Sequence, residues 1–386
     1  MRMASGFPLV VFSHLRWNFV YQRPQHLLSR IAARRPVLFI EEPEHDPVGP
    51  DRWERTAPAP GVTVLRPRTS VIEPGFHPAQ LEVLAPMMDE LREAVGSDGI
   101  AAWLYTPMAL PLALRLQPAL MAYDCMDELS LFMGAPPELA QREAELMAMA
   151  DVVFTGGPSL YRAKQERHPN VHCFASSVDA AHFGRARARE RGSDMVEPPE
   201  QRDLPHPRLG YYGVIDERLD LPLLAAVAEA HPEWHIVLVG PVVKIDPASL
   251  PRAANIHYTG QRSYDELPAY LAGWDVCLLP FALNDSTRFI SPTKTLEYMA
   301  AERPIVSTPI TDVAEPYGDI VYLGATPAGF IRACEFALAA GGEERGRRAA
   351  LMRGVLARTS WDTTAAAMDD CLAACLAARG ASATSA

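Results

Sequence analysis

The sequence predicts an α/β protein made of two doubly wound parallel sheets. Three observations carry this. Short apolar runs of strand length alternate with helical patterns of ten or more residues, the signature of parallel strands joined by crossovers. The runs are apolar almost throughout, as strands covered on both faces must be. The alternation stops over 185–207 and then restarts, and 386 residues suit two or three domains at a loose ~150 residues each.

In the first half the strand runs are PLVVFSH (8–14), PVLFIEE (36–42), GVTVLRP (61–67), IAAWLYT (100–106), ALMAYD (119–124), DVVFTGG (151–157) and NVHCFA (170–175). Helical periodicity lies between them at 25–34, 78–95 and 137–150. The segment 185–207 is charged and proline-rich with almost no large apolar residue, as a linker is. Beyond it come RLGYYG (208–213), WHIVLVG (234–240), NIHYTG (255–260), DVCLLPF (275–281), PIVST (304–308) and DIVYLG (319–324), with helices expected at 220–231, 263–273 and 292–301. From 327 to 377 the pattern is helical. The expected division is a first domain at 1–184 rejoined by a C-terminal helix at 360–380, a linker at 185–207, and a second domain at 208–359.

Composition narrows the function. A formal charge of −11 has the wrong sign for a broad nucleic-acid surface. No apolar run reaches the ~18 residues of a membrane span, and the apolar stretch at the start is short enough to read as a first strand and not as a leader. Six cysteines without a CxxC pair suit reduced thiols in a cytoplasmic setting, and no His/Cys cluster has zinc spacing. The chain has 35 prolines in 386 residues, well over the usual ~5%, which sets many short elements and fixed turns.

In open α/β sheets ligands bind beyond the carboxyl ends of the strands, so the residues after each strand carry the chemistry. The richest such segment is 281–308, FALNDSTRFISPTKTLEYMAAERPIVST. Pro292 is placed to open a helix, and the first-turn amides of Thr293, Lys294 and Thr295 would then face a phosphate. Lys294 adds charge, Ser291 and Thr293 add hydroxyls, and Glu297 one turn in can accept two hydrogen bonds from a ribose diol. Arg218 after the first strand of the second domain, and Arg288 before Ser291, are candidate cations for a diphosphate. After the first strand of the chain come His14, Arg16, Gln22 and Arg23. His14 suits a proton acceptor near its ordinary pKa of ~6.5, and Arg16, Gln22 and Arg23 suit acceptor or phosphate contacts. Asp124 and Asp127, at the end of another strand, suit a base or a grip on acceptor hydroxyls, and would share one side if a helical turn began there. Arg30, Arg34 and Arg35 make a small basic helix end that could touch an anionic membrane surface.

The segment PTKTLEYMAAERPIVST resembles the nucleotide-sugar-binding segment of GT-B glycosyltransferases, above all the family 4 type. Other stretches resemble that family in the same order: DVVFTGGPSLYRAKQERHPNVHCFASSVDAAHF ends the first domain, with Ser176-Ser177 in place of Asn-Gly, WHIVLVGP matches the second strand of the second domain, and Trp361 matches the tryptophan opening the returning helix. The resemblance implies a GT-B fold, two Rossmann-like domains facing across a cleft, with the helix amides on the diphosphate and Glu297 on the ribose. It implies Gly213 at the diphosphate, with Val214 where the family has arginine and Arg218 near the family's lysine. It implies transfer of a sugar from a nucleoside-diphosphate sugar to an acceptor hydroxyl, without a required metal or other cofactor. Retention of configuration is the expected stereochemistry, although Phe289 stands where the family has a glutamate facing the donor sugar. The implied partners are a nucleotide-sugar donor and a carbohydrate or lipid-linked acceptor of bacterial polysaccharide or glycoconjugate synthesis, with at most peripheral contact at the inner face of the membrane. Two other readings stay open: a sugar-nucleotide epimerase and a non-catalytic partner protein on the same scaffold. The catalytic candidates are His14, Asp127 and Arg218.

Overall fold

The computed structural model describes residues 7–96, 99–187 and 195–384. Two compact units form. The first joins the N-terminal part to Ala175 with the chain from Trp361 onward, and the second is Ser176–Ser360.

The first sheet contains β1 (Leu9–Ser13), β2 (Val37–Glu41), β3 (Glu44–His45), β4 (Arg52–Ala59), β5 (Val62–Thr69), β6 (Ala101–Leu104), β7 (Leu120–Cys125), β8 (Val152–Thr155) and β9 (Val171–Cys173). Their order is β3-β5-β2-β1-β6-β7-β8-β9, with β4 pairing antiparallel on β5. The other pairings are parallel. The second sheet contains β10 (Arg208–Tyr212), β11 (His235–Val239), β12 (Ile256–Gly260), β13 (Val276–Leu279), β14 (Ile305–Ser307) and β15 (Tyr322–Leu323), all parallel in the order β12-β11-β10-β13-β14-β15. Both sheets reverse their winding once, between β1 and β6 and between β10 and β13. Such a reversal splays the two following loops apart and opens a crevice at the strands' carboxyl ends. His14 follows β1, and Gly213 follows β10, so each unit puts candidate residues at its own reversal.

Strands β1, β6, β7, β8, β10 and β13 are buried along their whole length, as two-sided helix cover requires. Strand β4 was not apparent in the sequence. Its run RWERTAPA is mostly exposed and lies on the outside of β5, so no buried face imprints a pattern on it.

The helix Trp361–Thr384 packs on the first unit. Trp361, Met368 and Leu372 are in that unit's core, and the Trp361 indole stacks on His26 at 4.7 Å and 6°. Arg30, Arg34 and Arg35 are spent on this helix. They pair with Asp362 at 2.8 Å, with Asp369 and Asp370 at 3.2 Å, and with Asp369 at 2.9 Å. Their charge is compensated within the fold, which removes the basis for reading them as a membrane-facing patch. No helix of the described residues is long and apolar enough to cross a membrane.

The expected linker also differs. Val178, Phe183 and Ala186, expected in or beside the end of the first domain, lie in the core of the second unit. Gln201 is fully buried and receives the Trp274 indole N–H at 3.0 Å, and Arg208 pairs with Glu197. Much of 195–207 is therefore a packed strap of the second unit; 188–194 lie outside the described residues. The two passages of chain between the units are tied to each other, with Ser177 Oγ and Thr359 Oγ1 2.8 Å apart.

Candidate functional site

In the second unit, β10 ends at Tyr212 and the chain turns through Gly213, whose φ of +136° disfavours any side chain. A Cβ there would also stand 2.2 Å from Lys294 Cε and 2.7 Å from its Nζ. Gly213 is thus the floor on which Lys294 lies, and the Lys294 ammonium sits 5.6 Å from the Tyr211 ring centroid. Gly240, directly after β11, is needed for the same crowding, because a Cβ on it would meet the Gly213 carbonyl oxygen at 1.9 Å.

Lys294 belongs to the helix Thr293–Ala300, which starts one residue later than expected. Pro292 is the N-cap residue and offers no side-chain acceptor, and its carbonyl takes the Thr295 N–H at 3.1 Å. The amides of Thr293 and Lys294 have no acceptor within the helix, as at any helix start. The Thr293 hydroxyl is engaged. It donates to Ser176 Oγ at 3.0 Å, and the Ser176 hydroxyl donates to the Ser291 carbonyl at 3.1 Å. Thr293 and Ser291 are thereby fastened to the chain entering the unit, a bond across 117 positions that local sequence does not reveal. Thr295 is 1% exposed, and its hydroxyl has no hydrogen-bond partner among the described residues.

Glu297 is 7% exposed and has no cation at salt-bridge distance among the described residues. Burial raises its carboxyl pKa to about 7, against the opposing pull of Lys294 and the Tyr212 hydroxyl. A buried carboxyl held near neutrality without a paired cation is costly for the fold and typical of a ligand site.

Arg218 is arranged differently from its expected role. Its guanidinium forms a fork with Asp216, Nε to Oδ1 at 3.0 Å and Nη2 to Oδ2 at 2.7 Å, and Asp216 is 4% exposed. Much of its field is spent on that carboxylate. Arg288 is exposed, its guanidinium carbon 5.2 Å from the Phe289 ring centroid. The structure thus gathers Gly213, Lys294, Thr295 and Glu297 at the end of β10, and leaves Arg218 paired and Arg288 on the loop.

In the first unit several candidates have structural partners. Arg23 and Asp124, 101 positions apart, form a bidentate pair, Nε to Oδ2 at 3.2 Å and Nη2 to Oδ1 at 3.0 Å. Both are buried, Arg23 at 3% and Asp124 at 0% exposure, and Arg23 also donates to the Phe174 carbonyl at 2.6 Å. Burial works against the Arg23 charge, but the Asp124 carboxylate outweighs it and raises the guanidinium pKa. Both candidates for the acceptor are thus paired with each other inside the first unit. Arg16 is likewise bound to Glu41 at 3.3 Å, to the Glu42 carbonyl, and to the Pro43 carbonyl at 3.3 Å. Gln22 is the N-cap of the helix Arg23–Ile31, its N–H donating to Gln25 Oε1 at 3.1 Å. The polar residue that shapes this loop is Gln25, whose amide donates to the carbonyls of Trp17 at 2.7 Å and Val20 at 3.0 Å.

No helical turn begins at Asp124, because β7 runs on to Cys125 and the next turn of helix starts at Leu129. Asp124 therefore points into the unit, while Asp127 lies half-buried in the loop beyond the strand. That loop is pinned by Lys164, 1% exposed at the side chain and 2.7 Å from both Glu128 and Glu143. His14, directly after β1, is also half-buried. Among the described residues no group of three His, Cys, Asp or Glu could hold a metal ion.

Comparison with known proteins agrees with this geometry. Residues 207–339 match the family Glycosyl transferases group 1, a span that contains Gly213, Lys294 and Glu297. The chain is 25% identical over 296 residues, 72% of each chain, to TuaH of Bacillus subtilis (strain 168), a glycosyltransferase assigned to teichuronic acid biosynthesis. Among solved structures, the E. coli trehalose-6-phosphate structure bound with UDP-2-fluoro glucose superposes with a TM-score of 0.69 at 14% identity, covering 95% of this chain and 98% of that one. Sucrose-phosphate synthase from Thermosynechococcus elongatus gives 0.66 at 16%, covering 97% and 100%. Trehalose 6-phosphate synthase from Burkholderia multivorans gives 0.68 at 14%, covering 100% and 99%. With two reverse-wound parallel sheets, a group 1 match over the second of them and a glycosyltransferase relative, this chain is a GT-B glycosyltransferase.

Proposed function

We propose that the second unit binds a nucleoside-diphosphate sugar at the end of β10. In this reading the diphosphate lies on the N-terminal turn of the 293–300 helix with the Lys294 ammonium beside it, and Glu297 accepts the ribose hydroxyls. As the sugar leaves, charge grows on the diphosphate, and fixed amides with an adjacent ammonium stabilise it without reorganising. The sugar passes to a hydroxyl of a carbohydrate or lipid-linked acceptor bound by the first unit, where His14 and Asp127 are the candidates to take the hydroxyl proton. A place in bacterial surface polysaccharide synthesis suits the relation to TuaH.

The observation that carries the reading is Glu297, a buried carboxyl without a paired cation one turn from a helix start that carries a lysine. Calorimetric titration with uridine and guanosine diphosphates tests it. One of them is expected to bind, and Glu297→Ala should weaken that binding by ~1–3 kcal/mol. Binding of neither nucleotide, or an unchanged affinity in the variant, would overturn the reading.

A further inference from the structure

We propose that Ser176, where the chain enters the second unit, is a positioning residue of the donor site: its hydroxyl, bonded to the Ser291 carbonyl and the Thr293 hydroxyl, holds the start of the 293–300 helix in the geometry that receives the diphosphate. This rests on the reading of that helix start as the diphosphate seat.

A helix start is ordinarily closed by a Ser, Thr, Asp or Asn whose side-chain oxygen accepts a first-turn amide. Here the N-cap is Pro292, which has neither that acceptor nor an N–H of its own. The local chain therefore contributes little to fixing the turn 291–293, and a residue 115 positions earlier does it instead. Ser176 Oγ donates to the Ser291 carbonyl at 3.1 Å and accepts from Thr293 Oγ1 at 3.0 Å. One hydroxyl has one donor and two acceptor sites, so a single serine can bridge both neighbours of Pro292. The bond from Thr293 also keeps that hydroxyl turned to Ser176 and away from the first-turn amides.

Ser176 can act as a fixed post because the chain around it is anchored. Ser177 is fully buried, with its hydroxyl 2.8 Å from Thr359 Oγ1, and Val178 lies in the core of the unit. Asp179 then caps the short helix Ala180–Gly184, accepting the His182 N–H at 3.0 Å, and that helix packs on the 293–300 helix. The bridge thus joins two elements already held together, and what it adds is the placement of the turn between them. Such placement matters where donors must face a growing negative charge, since fixed donors need no reorganisation and a shift of about 1 Å is costly. Ser176 itself is half-buried, so water can replace its partners when the hydroxyl is removed, and the fold does not depend on it.

The test uses the full-length wild type, Ser176→Ala, Ser176→Thr, Thr293→Val, the double variant Ser176→Ala with Thr293→Val, and Glu297→Ala. Each is titrated with UDP and GDP by calorimetry and with uridine and guanosine by ligand-observed NMR, and its thermal midpoint is measured. Ser176→Ala should weaken the diphosphate about five-fold, leave the nucleoside and the thermal midpoint unchanged, and so shrink the ratio of the two affinities. Ser176→Thr, which keeps the hydroxyl, should retain the wild-type ratio. The double variant should bind like Ser176→Ala alone, because the two changes break one bridge; additive losses would overturn the proposal. A merely structural role would lower the midpoint and weaken nucleoside and diphosphate alike, which also overturns it. Glu297→Ala, acting at the ribose, should weaken both ligands. If it does so while Ser176→Ala and Thr293→Val keep the wild-type ratio, Ser176 has no such role and the donor reading stands. If Glu297→Ala changes neither affinity, the donor reading itself fails. If neither Ser176→Ala nor Thr293→Val folds, the bridge is structural and the proposal is overturned.

Discussion

The Arg23–Asp124 pair in the first unit and Glu297 in the second are both buried ionisable sites near the carboxyl ends of parallel strands, yet they differ in one respect. Asp124 is matched by a bidentate guanidinium. Glu297 has only a hydroxyl and a lysine at longer range. In the first case folding completes the hydrogen bonding, and nothing is left for a ligand. In the second, folding leaves acceptor capacity unfilled and raises the proton affinity of the carboxyl. Burial of a charge is therefore uninformative about function until its partners are counted.

That contrast can be broken at its strongest point first. Arg23→Ala should destabilise the protein by ~3–5 kcal/mol in urea unfolding, because it leaves Asp124 buried and unmatched. The double change Arg23→Met with Asp124→Leu should recover much of that loss. Glu297 should respond in the opposite sense. Its pKa is raised on folding from 4.5 to about 7, so the native state keeps a proton that the unfolded chain releases. Stability from this group therefore falls as pH rises from about 4.5 through about 7. Glu297→Gln is expected to raise stability at pH 8 by ~1–3 kcal/mol while weakening nucleoside diphosphate binding. A Glu297→Gln protein no more stable than wild type at pH 8 would place the two sites in one class.

Smaller effects sharpen the comparison. Lys294→Met should cost ~1–3 kcal/mol of nucleoside diphosphate affinity, with a reduced dependence on salt. Arg218→Met should cost less, since Asp216 already absorbs much of its charge; equal losses would make Arg218 a donor residue despite its pairing. The smallest change is at the 361–384 helix. Arg34→Ala should leave stability in urea unfolding nearly unchanged, as solvent-screened pairs do, and leave sedimentation with anionic lipid vesicles unchanged.

Much of the fold was legible because two-sided burial writes itself locally. A run such as DVCLLPF admits few environments other than an interior parallel strand. The helix over 292–301 and Glu297 were legible for a similar reason: proline, small polar residues and an amphipathic run follow a buried strand. The partners of charged residues were not legible. Arg23 and Arg218 look alike as sequence, and what separates them lies 101 positions away in one case and two in the other, with side-chain direction deciding both. In the sequence Ser176 stands out only as a departure from a family pattern, and its bond to Thr293 exists only in the folded chain.

The 2.8 Å contact between Ser177 and Thr359 has a consequence for how the molecule can be taken apart. The second unit leaves and returns to the first through neighbouring residues, so it is topologically an insert whose two ends meet. A segment with adjoining ends and its own core can be excised, or closed by a short linker and reopened at a surface loop, without stretching its backbone. Residues 176–360 are thus a natural cassette, and the proposed nucleoside diphosphate binding could be measured on it, or transplanted, apart from the first unit.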